Sequence, residues 1–439
     1  MVKGDVMSEP VRDRGLRSSP TAPIRHGRLR RSRAWKTVLA TLAASLAVVL
    51  VSTVSVGAIT IAQINANIDV VELAVLEGQE ERVIPTVGEW EGGFNVLLVG
   101  VDNDVGQFDA GERDGATLND VNILVHVAED QQSAVAVSFP RDLVVPIPSC
   151  PEPDGEGASY SMSAQPLNVA YSYGELGCVV LTIEALTGLT IPYAGTISFG
   201  GVAQMSTAVG GVDICVDGPI NDPHTGLSLP SAGTYSVEGR QALAFLRTRY
   251  GVGDGSDLGR ISSQQVYMSS LVRKVQNEGV LTDFTKLYGL AQVATSSMKL
   301  SRSLSLDTMV SMAQALRKIP TENIVFVQYP TRYGTAAPYI GKVQPLVREA
   351  SELMDLIRAD RPFTLASGST GVGAAANPNA PGAGPAPEPT PTEVAPPKNG
   401  KVEPEVEPTL EPVAPVEPPD VLEGVPGQSA ADYTCSVAN

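Results

Sequence analysis

Four regimes of apolar and polar residues follow one another along the chain. From Thr37 to Ala62, "TVLATLAASLAVVLVSTVSVGAITIA", 26 positions pass without a charge, long enough for a helix to cross a hydrocarbon core of about 30 Å. A stalk helix is expected after it, around residues 63–80. The second regime opens at Phe94–Val101, "FNVLLVGV", a continuous apolar run of the kind covered on both faces of a sheet. Two further strands are expected, "VNILVHVA" from Val121 and "SAVAVSF" from Ser133, parted by an "EDQQ" turn.

In the third regime helical spacing alternates with short apolar runs. Val179–Leu186 and Gly201–Val209 read as helices, "GGVDICV" as a strand, and Gly239–Leu246 as a helix with Ser236 at its N-cap. Leu258–Gln276 is the clearest helix, with Ile261, Met268, Leu271, Val272 and Val275 on one stripe and Gly279 just past its end. Helical patterns at 284–297, 305–318 and 344–358 flank the strand "NIVFVQY". Such alternation predicts an α/β fold, a three-layer α-β-α sandwich with a central mixed sheet, preceded by one transmembrane helix. In the last regime fifteen prolines fall between Pro378 and Pro426, with nine Asp/Glu against two Lys from Ser367 to Gly427. That composition predicts an extended, self-repelling linker. The expected divisions are a basic tail at 1–36, a transmembrane helix at 37–62, a stalk at 63–92, a folded domain at 93–365, a disordered linker at 366–428 and a tail at 429–439, loose unless Cys435 pins it.

Charge orients this plan. The chain has 439 residues and a net charge of -17, yet residues 1–36 hold ten Lys/Arg against three Asp/Glu. Nine of those basic residues lie between Arg12 and Lys36, so the positive-inside rule places the N-terminus in the cytoplasm and everything after Gln63 outside. A cleaved signal peptide is the rival reading, but its core spans only about 7–15 residues. The acidic remainder repels nucleic acid, so nucleic acid is not an expected partner and an anionic substrate must be caught by a local cluster. Four cysteines fall on the outer side, where disulfides persist. Cys150 and Cys178 bracket a Pro/Gly-rich loop and are the first-choice pair; Cys215 with Cys435 follows by elimination.

Three polar clusters carry the candidate chemistry. In "FLRTRYGVGDGSDLGRISSQQ", residues 245–265, Arg247 and Arg249 project to one side if locally extended, and Arg260 and Gln264 share a face of the next helix. Three guanidiniums beside a helix start suit a phosphate or diphosphate, because each fork donates bidentately to its oxygens. Ordinary pairing with Asp254 and Asp257 is the plainer alternative. Next, Asp102 ends the first strand and Asp120 begins the second; paired carboxylates there suit Mg²⁺, a hard ion that takes one or two carboxylates plus phosphate oxygens. Turn chemistry alone would also favour Asp at both places. Asp102, Asp104 and Asp109 mimic a calcium loop, but Gly106 and Arg113 stand where ligands belong. Last, "SFPRD" presents Arg141 at the sheet edge where open α/β sheets bind ligands. "SSMK" at 296–299 has no companion motifs of serine acyl-transferases, and His126 reads as a satisfied core residue.

The segments "NVLLVGVDND", "LNDVNILVHV", "VSFPRDLVVPIP", "NVAYSYG", "GGVDICV" and "GLSLPSAGTYSVEGRQALAFLRTRYGVGDGSDLGRISSQQ", in that order, resemble the LytR–CpsA–Psr family of cell-wall proteins over about residues 94–360. The resemblance implies a membrane-anchored extracellular enzyme that moves an anionic glycopolymer from a polyprenyl-diphosphate carrier to a peptidoglycan acceptor with Mg²⁺, Mn²⁺ being the alternative ion. It implies Asp102 and Asp120 on the metal, and Arg141, Arg247, Arg249, Arg260 and Gln264 on the diphosphate. Arg141, Arg249 and Asp257 are the catalytic candidates, with Asp257 or Asp104 as base. The family commonly has Arg two residues before the second metal Asp, where this chain has Leu118, and often Arg before the Gln pair, where it has Ser263. Arg113 is the expected substitute for the first. A diphosphatase using the same site and a non-catalytic wall-binding scaffold are the alternatives.

Overall fold

The computed structural model describes residues 34–66, 69–73, 82, 92–102, 117–153, 157–277, 284–380 and 419–439, in two units, Met1–Ile61 and Ala62–Asn439. The first unit carries most of helix α1, Ala34–Ala66. Its 33 residues extend about 50 Å at 1.5 Å per residue, and Leu39, Leu42, Leu46 and Val48 along it are exposed. A helix apolar all round suits lipid rather than water, which makes it a candidate membrane span. Leu167–Thr187 is also long and apolar enough to cross a membrane, but it is mostly buried in the core of the second unit.

The second unit is built on twelve main strands: β1 (Asp69–Val71), β2 (Phe94–Val101), β3 (Asn119–Val127), β4 (Ala134–Phe139), β5 (Tyr193–Ser198), β6 (Val212–Val216), β7 (Gly233–Val237), β8 (Met298–Ser301), β9 (Ile324–Gln328), β10 (Ala374–Ala376), β11 (Gly427–Ser429) and β12 (Thr434–Ser436). Its helices are α2 (Ala170–Thr187), α3 (Phe199–Val209), α4 (Gly239–Arg247), α5 (Asp257–Asn277), α6 (Phe284–Ser297), α7 (Leu306–Lys318) and α8 (Val347–Arg358). The central sheet runs β1-β8-β5-β2-β3-β4-β9-β11. It is mixed, with parallel pairs at β1/β8, β5/β2 and β4/β9.

Alternation along β2 makes the three layers. Leu97, Val99 and Val101 pack with Val179, Val180 and Ile183 of α2 and Leu353, Met354 and Ile357 of α8. Phe94 and Val96, on the opposite face, pack with Met312 and Ala315 of α7 and reach Met268 and Val272 of α5. A smaller sheet, β7-β6-β12-β10, shares a third core with Phe245 of α4 and Tyr267 of α5. The α-β-α sandwich expected from the pattern is therefore the fold.

Three expectations are corrected. Among the described residues no stalk helix follows α1: it stops at Ala66, and Asp69–Val71 instead adds a strand to the open edge at β8, a better use of two β-branched valines. Residues 74–81 lie outside the described set. Ser236 does not cap α4; it sits in β7, and the Ser206 hydroxyl accepts from the Gly239 amide at 2.8 Å. The linker boundaries at 366 and 428 fall inside the fold, since β10, a strand at Asp420–Leu422 and β11 are all paired; residues 381–418 are not described. The tail is pinned through Cys435, as the expected cysteine pairing requires. β12 pairs with both β6 and β10, and disulfides join Cys215 to Cys435 and Cys150 to Cys178.

Candidate active site

The centre forms where β2, β3 and β4 end together. A bulge at that edge pairs Gly100 with Val121 but Val101 with Asn119, so Asp120 is the extra residue of β3. Bulges of this kind re-aim side chains. Asn119 turns towards α2, accepting from the Tyr171 amide at 3.2 Å, while Asp120 turns to Arg141. Asp102 follows the end of β2 and is buried; its Oδ1 accepts from the Leu118 amide at 2.8 Å. Leu118, which replaces the expected arginine, thus serves Asp102 through its backbone.

Pro140 ends β4 and delivers Arg141 to the same edge. Its Nη1 donates to Asp120 Oδ1 at 2.8 Å, and its Nε lies 3.6 Å from Asp257 Oδ1. The first turn of α5 supplies Asp257 and Arg260, an i,i+3 ion pair at 2.6 Å with both side chains buried. Arg260 Nη2 also donates to the Asp120 carbonyl at 2.9 Å. Among the described residues the buried Nε groups of Arg141 and Arg260 have no hydrogen-bond partner. Burial alone would lower the Arg141 pKa, but Asp120 and Asp257 outweigh it and the net shift is upward. At Arg260 burial wins over Asp257 and the shift is downward. Both guanidiniums stay charged at any physiological pH.

The remaining arginines flank this cluster. Arg247 lies over the Phe199 ring, 4.4 Å from its centroid, and Arg249 lies 5.7 Å from the Tyr250 centroid. Two cavities meet the cluster and share no lining residue. One is an apolar groove of about 230 Å³ between the sheet face, at Leu98, Val121 and Ile123, and Phe199, Leu246 and Leu271; Arg247, Arg260 and Gln264 stand in its wall. The other is a polar cleft of about 340 Å³ whose wall includes Arg249 and Asp257. The groove was not visible in the sequence, because its walls come from strands 20 residues apart and from three separate helices.

The structure therefore brings Asp120, Arg141, Asp257 and Arg260 to one centre, places Asp102 on the neighbouring strand end bonded to Leu118, and sets Arg247 and Arg249 at cavities on the flanks. Gln264 is the exception in part. Its side-chain nitrogen donates to the Leu246 carbonyl at 2.8 Å and closes the end of α4. Arg113 and Asp104 lie outside the described residues. His126 is buried and bonded to Asn95 at 2.9 Å, as expected of a core histidine. Asp102 and Asp120 are the residues that could hold a divalent ion. Both carboxylates are buried at adjacent strand ends, and hard oxygen donors of this kind are the type that Mg²⁺ takes. No group of three or more His, Cys, Asp or Glu forms a cage among the described residues.

These features define a class: a mixed α/β sandwich with a guanidinium–carboxylate centre at the sheet edge, opening on an apolar groove. The LytR_cpsA_psr family model matches residues 60–353, and the chain belongs to that family. It is 27% identical over 267 residues to the cell wall biosynthesis protein LcpA of Corynebacterium glutamicum, covering 55% of this chain and 50% of that one. It is 25% identical over 300 residues to TagT of Bacillus subtilis, named a polyisoprenyl-teichoic acid–peptidoglycan teichoic acid transferase, covering 66% and 83%. The chain thus spans about half the length of LcpA. Protein gbs0355 from Streptococcus agalactiae shares the fold, with a TM-score of 0.50 at 21% identity over 61% of this chain and 88% of that one.

Proposed function

We propose that this protein transfers an anionic cell-wall glycopolymer from a polyprenyl-diphosphate carrier to a sugar hydroxyl of peptidoglycan. The observation that carries the reading is the junction of the apolar groove with the arginine centre: a groove lined by Leu98, Ile123, Phe199 and Leu271 has Arg247 and Arg260 in its wall. An isoprenoid tail matches the apolar part and a diphosphate matches the guanidiniums. The name carried by TagT, a polyisoprenyl-linked transferase acting on peptidoglycan, supports the same substrates.

In this reading Arg141, Arg247, Arg249 and Arg260 hold the diphosphate and stabilise the charge that grows as the bond breaks. The acceptor oxygen forms a bond to the glycan-bearing phosphorus. The bond from that phosphorus to the bridging oxygen breaks, and the lipid monophosphate leaves with the electron pair. Asp257, in the wall of the polar cleft, receives the hydroxyl proton. Mg²⁺ or Mn²⁺ on Asp102 and Asp120 would add positive charge beside the diphosphate oxygens. Helix α1 anchors the chain, with residues 1–36 in the cytoplasm and the sandwich outside.

The test is Arg249→Ala in the full-length protein, with transfer from a polyprenyl-diphosphate glycan to peptidoglycan as the readout. Loss of one preorganised donor should lower kcat by roughly 10²–10³-fold, and unchanged transfer would overturn the site. Phosphate release by the wild type without a glycan conjugate would mark a diphosphatase instead.

A further inference from the structure

The polar cleft differs in chemistry from the apolar groove. It is framed by a hairpin in which residues Thr331–Tyr333 pair antiparallel with Val343–Pro345. The hairpin is tied to the chain just after Arg141: the Val343 amide donates to the Asp142 carbonyl at 3.2 Å, and Lys342 Nζ lies 2.5 Å from Asp142 Oδ1. Tyr333 stands in the cleft with 48% of its surface exposed. Asp254 and Ser256, from the loop that follows Arg249, complete the polar lining.

Position and charge select the occupant. Arg247 and Arg260 face the groove while Arg249 and Asp257 face the cleft, and the Asp257–Arg260 pair, 2.6 Å apart, is part of the wall between them. In-line displacement at phosphorus requires the attacking oxygen to enter opposite the leaving oxygen. A lipid phosphate leaving through the groove therefore calls for an acceptor entering through the cleft. The cleft sets Asp142, Asp254 and Asp257 against Arg249 and Lys342. That near-balanced, slightly acidic lining disfavours a second anionic polymer and suits neutral hydroxyls, which accept from ammonium and donate to carboxylate. A half-exposed phenol ring offers the apolar face of a pyranose a stacking platform. Burial raises the Tyr333 pKa, against the hydrogen bond with Ser256, so its hydroxyl stays a neutral donor. The volume of about 340 Å³ is at the lower end of the roughly 300–1,000 Å³ of small-ligand sites.

We infer that this cleft is the acceptor subsite, taking a glycan strand that presents a free sugar hydroxyl, with Tyr333 as its stacking platform and Lys342 and Asp142 as its polar contacts. The inference rests on the proposed transfer reading and deepens it. In the transfer step the hydroxyl oxygen bound here bonds to the glycan-bearing phosphorus, the bridging P–O bond breaks, lipid monophosphate departs through the groove, and the proton passes to Asp257.

Two measurements test it on the full-length protein in detergent. In the first, Tyr333→Ala and Lys342→Met are assayed with a polyprenyl-diphosphate glycan and a soluble, uncrosslinked peptidoglycan oligosaccharide. The expected result is an acceptor KM raised at least fivefold in each variant, with donor KM and acceptor-free lipid phosphate release within twofold of wild type. An unchanged acceptor KM, or a donor KM rising in parallel, overturns the assignment. In the second, saturation-transfer NMR follows binding of the same oligosaccharide without donor. Binding that survives Tyr333→Ala undiminished overturns the cleft as well. If the wild type forms no conjugate but binds the oligosaccharide in a Tyr333-dependent manner, the transfer reading fails and the cleft stands.

Discussion

Asp222 lines neither cavity, yet it holds the turn that carries two of the arginines. It is 1% exposed, and its Oδ2 accepts from the buried Thr248 hydroxyl at 2.6 Å, between Arg247 and Arg249. Burial would raise its pKa, but the bonds from Thr248, His224 and the Arg249 amide outweigh it and hold the carboxyl below its ordinary value. A depressed carboxyl contributes stability that is present above the unfolded value near 3.9 and is lost as pH falls through the folded value. Asp222→Asn should therefore cost about 1–3 kcal/mol at pH 7, with the gap in Tm to wild type closing below about pH 4. Thermal unfolding at several pH values checks this, and a gap that stays constant with pH counts against it. The residue scale also explains Ser263. It is fully buried, with its hydroxyl 2.6 Å from that of Ser436, so a long cation there would have to displace the C-terminal strand β12.

At the scale of elements, α5 departs furthest from its pattern. Its stripe of Ile261, Met268, Leu271 and Val272 predicts one buried apolar face, yet Ser262, Ser263 and Ser269 outside it are buried too, and the buried Gln265 stands within it. Segments distant in sequence bring partners to them. Gln428 Nε2 donates to the Gln265 carbonyl at 3.1 Å and to Ser269 Oγ at 2.7 Å, and Gln328 Nε2 donates to Ser262 Oγ at 2.8 Å. The approach requires glycine: a Cβ on Gly373 would lie 2.1 Å from the Gly259 carbonyl oxygen. The Cys215–Cys435 disulfide, closing 220 residues, holds this arrangement, and removing such a bond costs about 2–5 kcal/mol. Cys435→Ser should lower the calorimetric Tm, and reductant should lower the wild-type Tm further through Cys150–Cys178. A variant melting with the wild type would mean that β12 docks without its covalent tie. Because α5 also supplies Asp257 and Arg260, the same variant should weaken transfer at temperatures below its Tm.

On the scale of the whole molecule, the proposed topology rests on α1, a candidate membrane span, and on the charge around it. All four native cysteines are disulfide-bonded, so an introduced thiol can be read alone. In intact cells a membrane-impermeant maleimide should label Tyr160→Cys, at a position 91% exposed, and should not label Ser18→Cys; the reverse pattern would invert the proposed topology. The apolar helix α1, the strands β2 to β4 and the helix α5 were legible because each is a local pattern of apolar spacing, and the meeting of Asp120, Arg141 and Arg260 because each stands at the end of such a pattern. The prolines and glutamates of 367–427 were legible only as composition, which is silent on the strands β10 and β11 at either end, since three-residue strands carry no periodicity of their own. By itself, then, the sequence determined the order of elements, the membrane-length helix and the residue types at the sheet edge, all properties of neighbours along the chain. Tertiary structure alone decided that Asp120 pairs with Arg141, that Arg247 and Arg249 line different cavities, and that the tail buries α5, because those contacts join segments 20 to 220 residues apart whose pairing depends on how the layers pack.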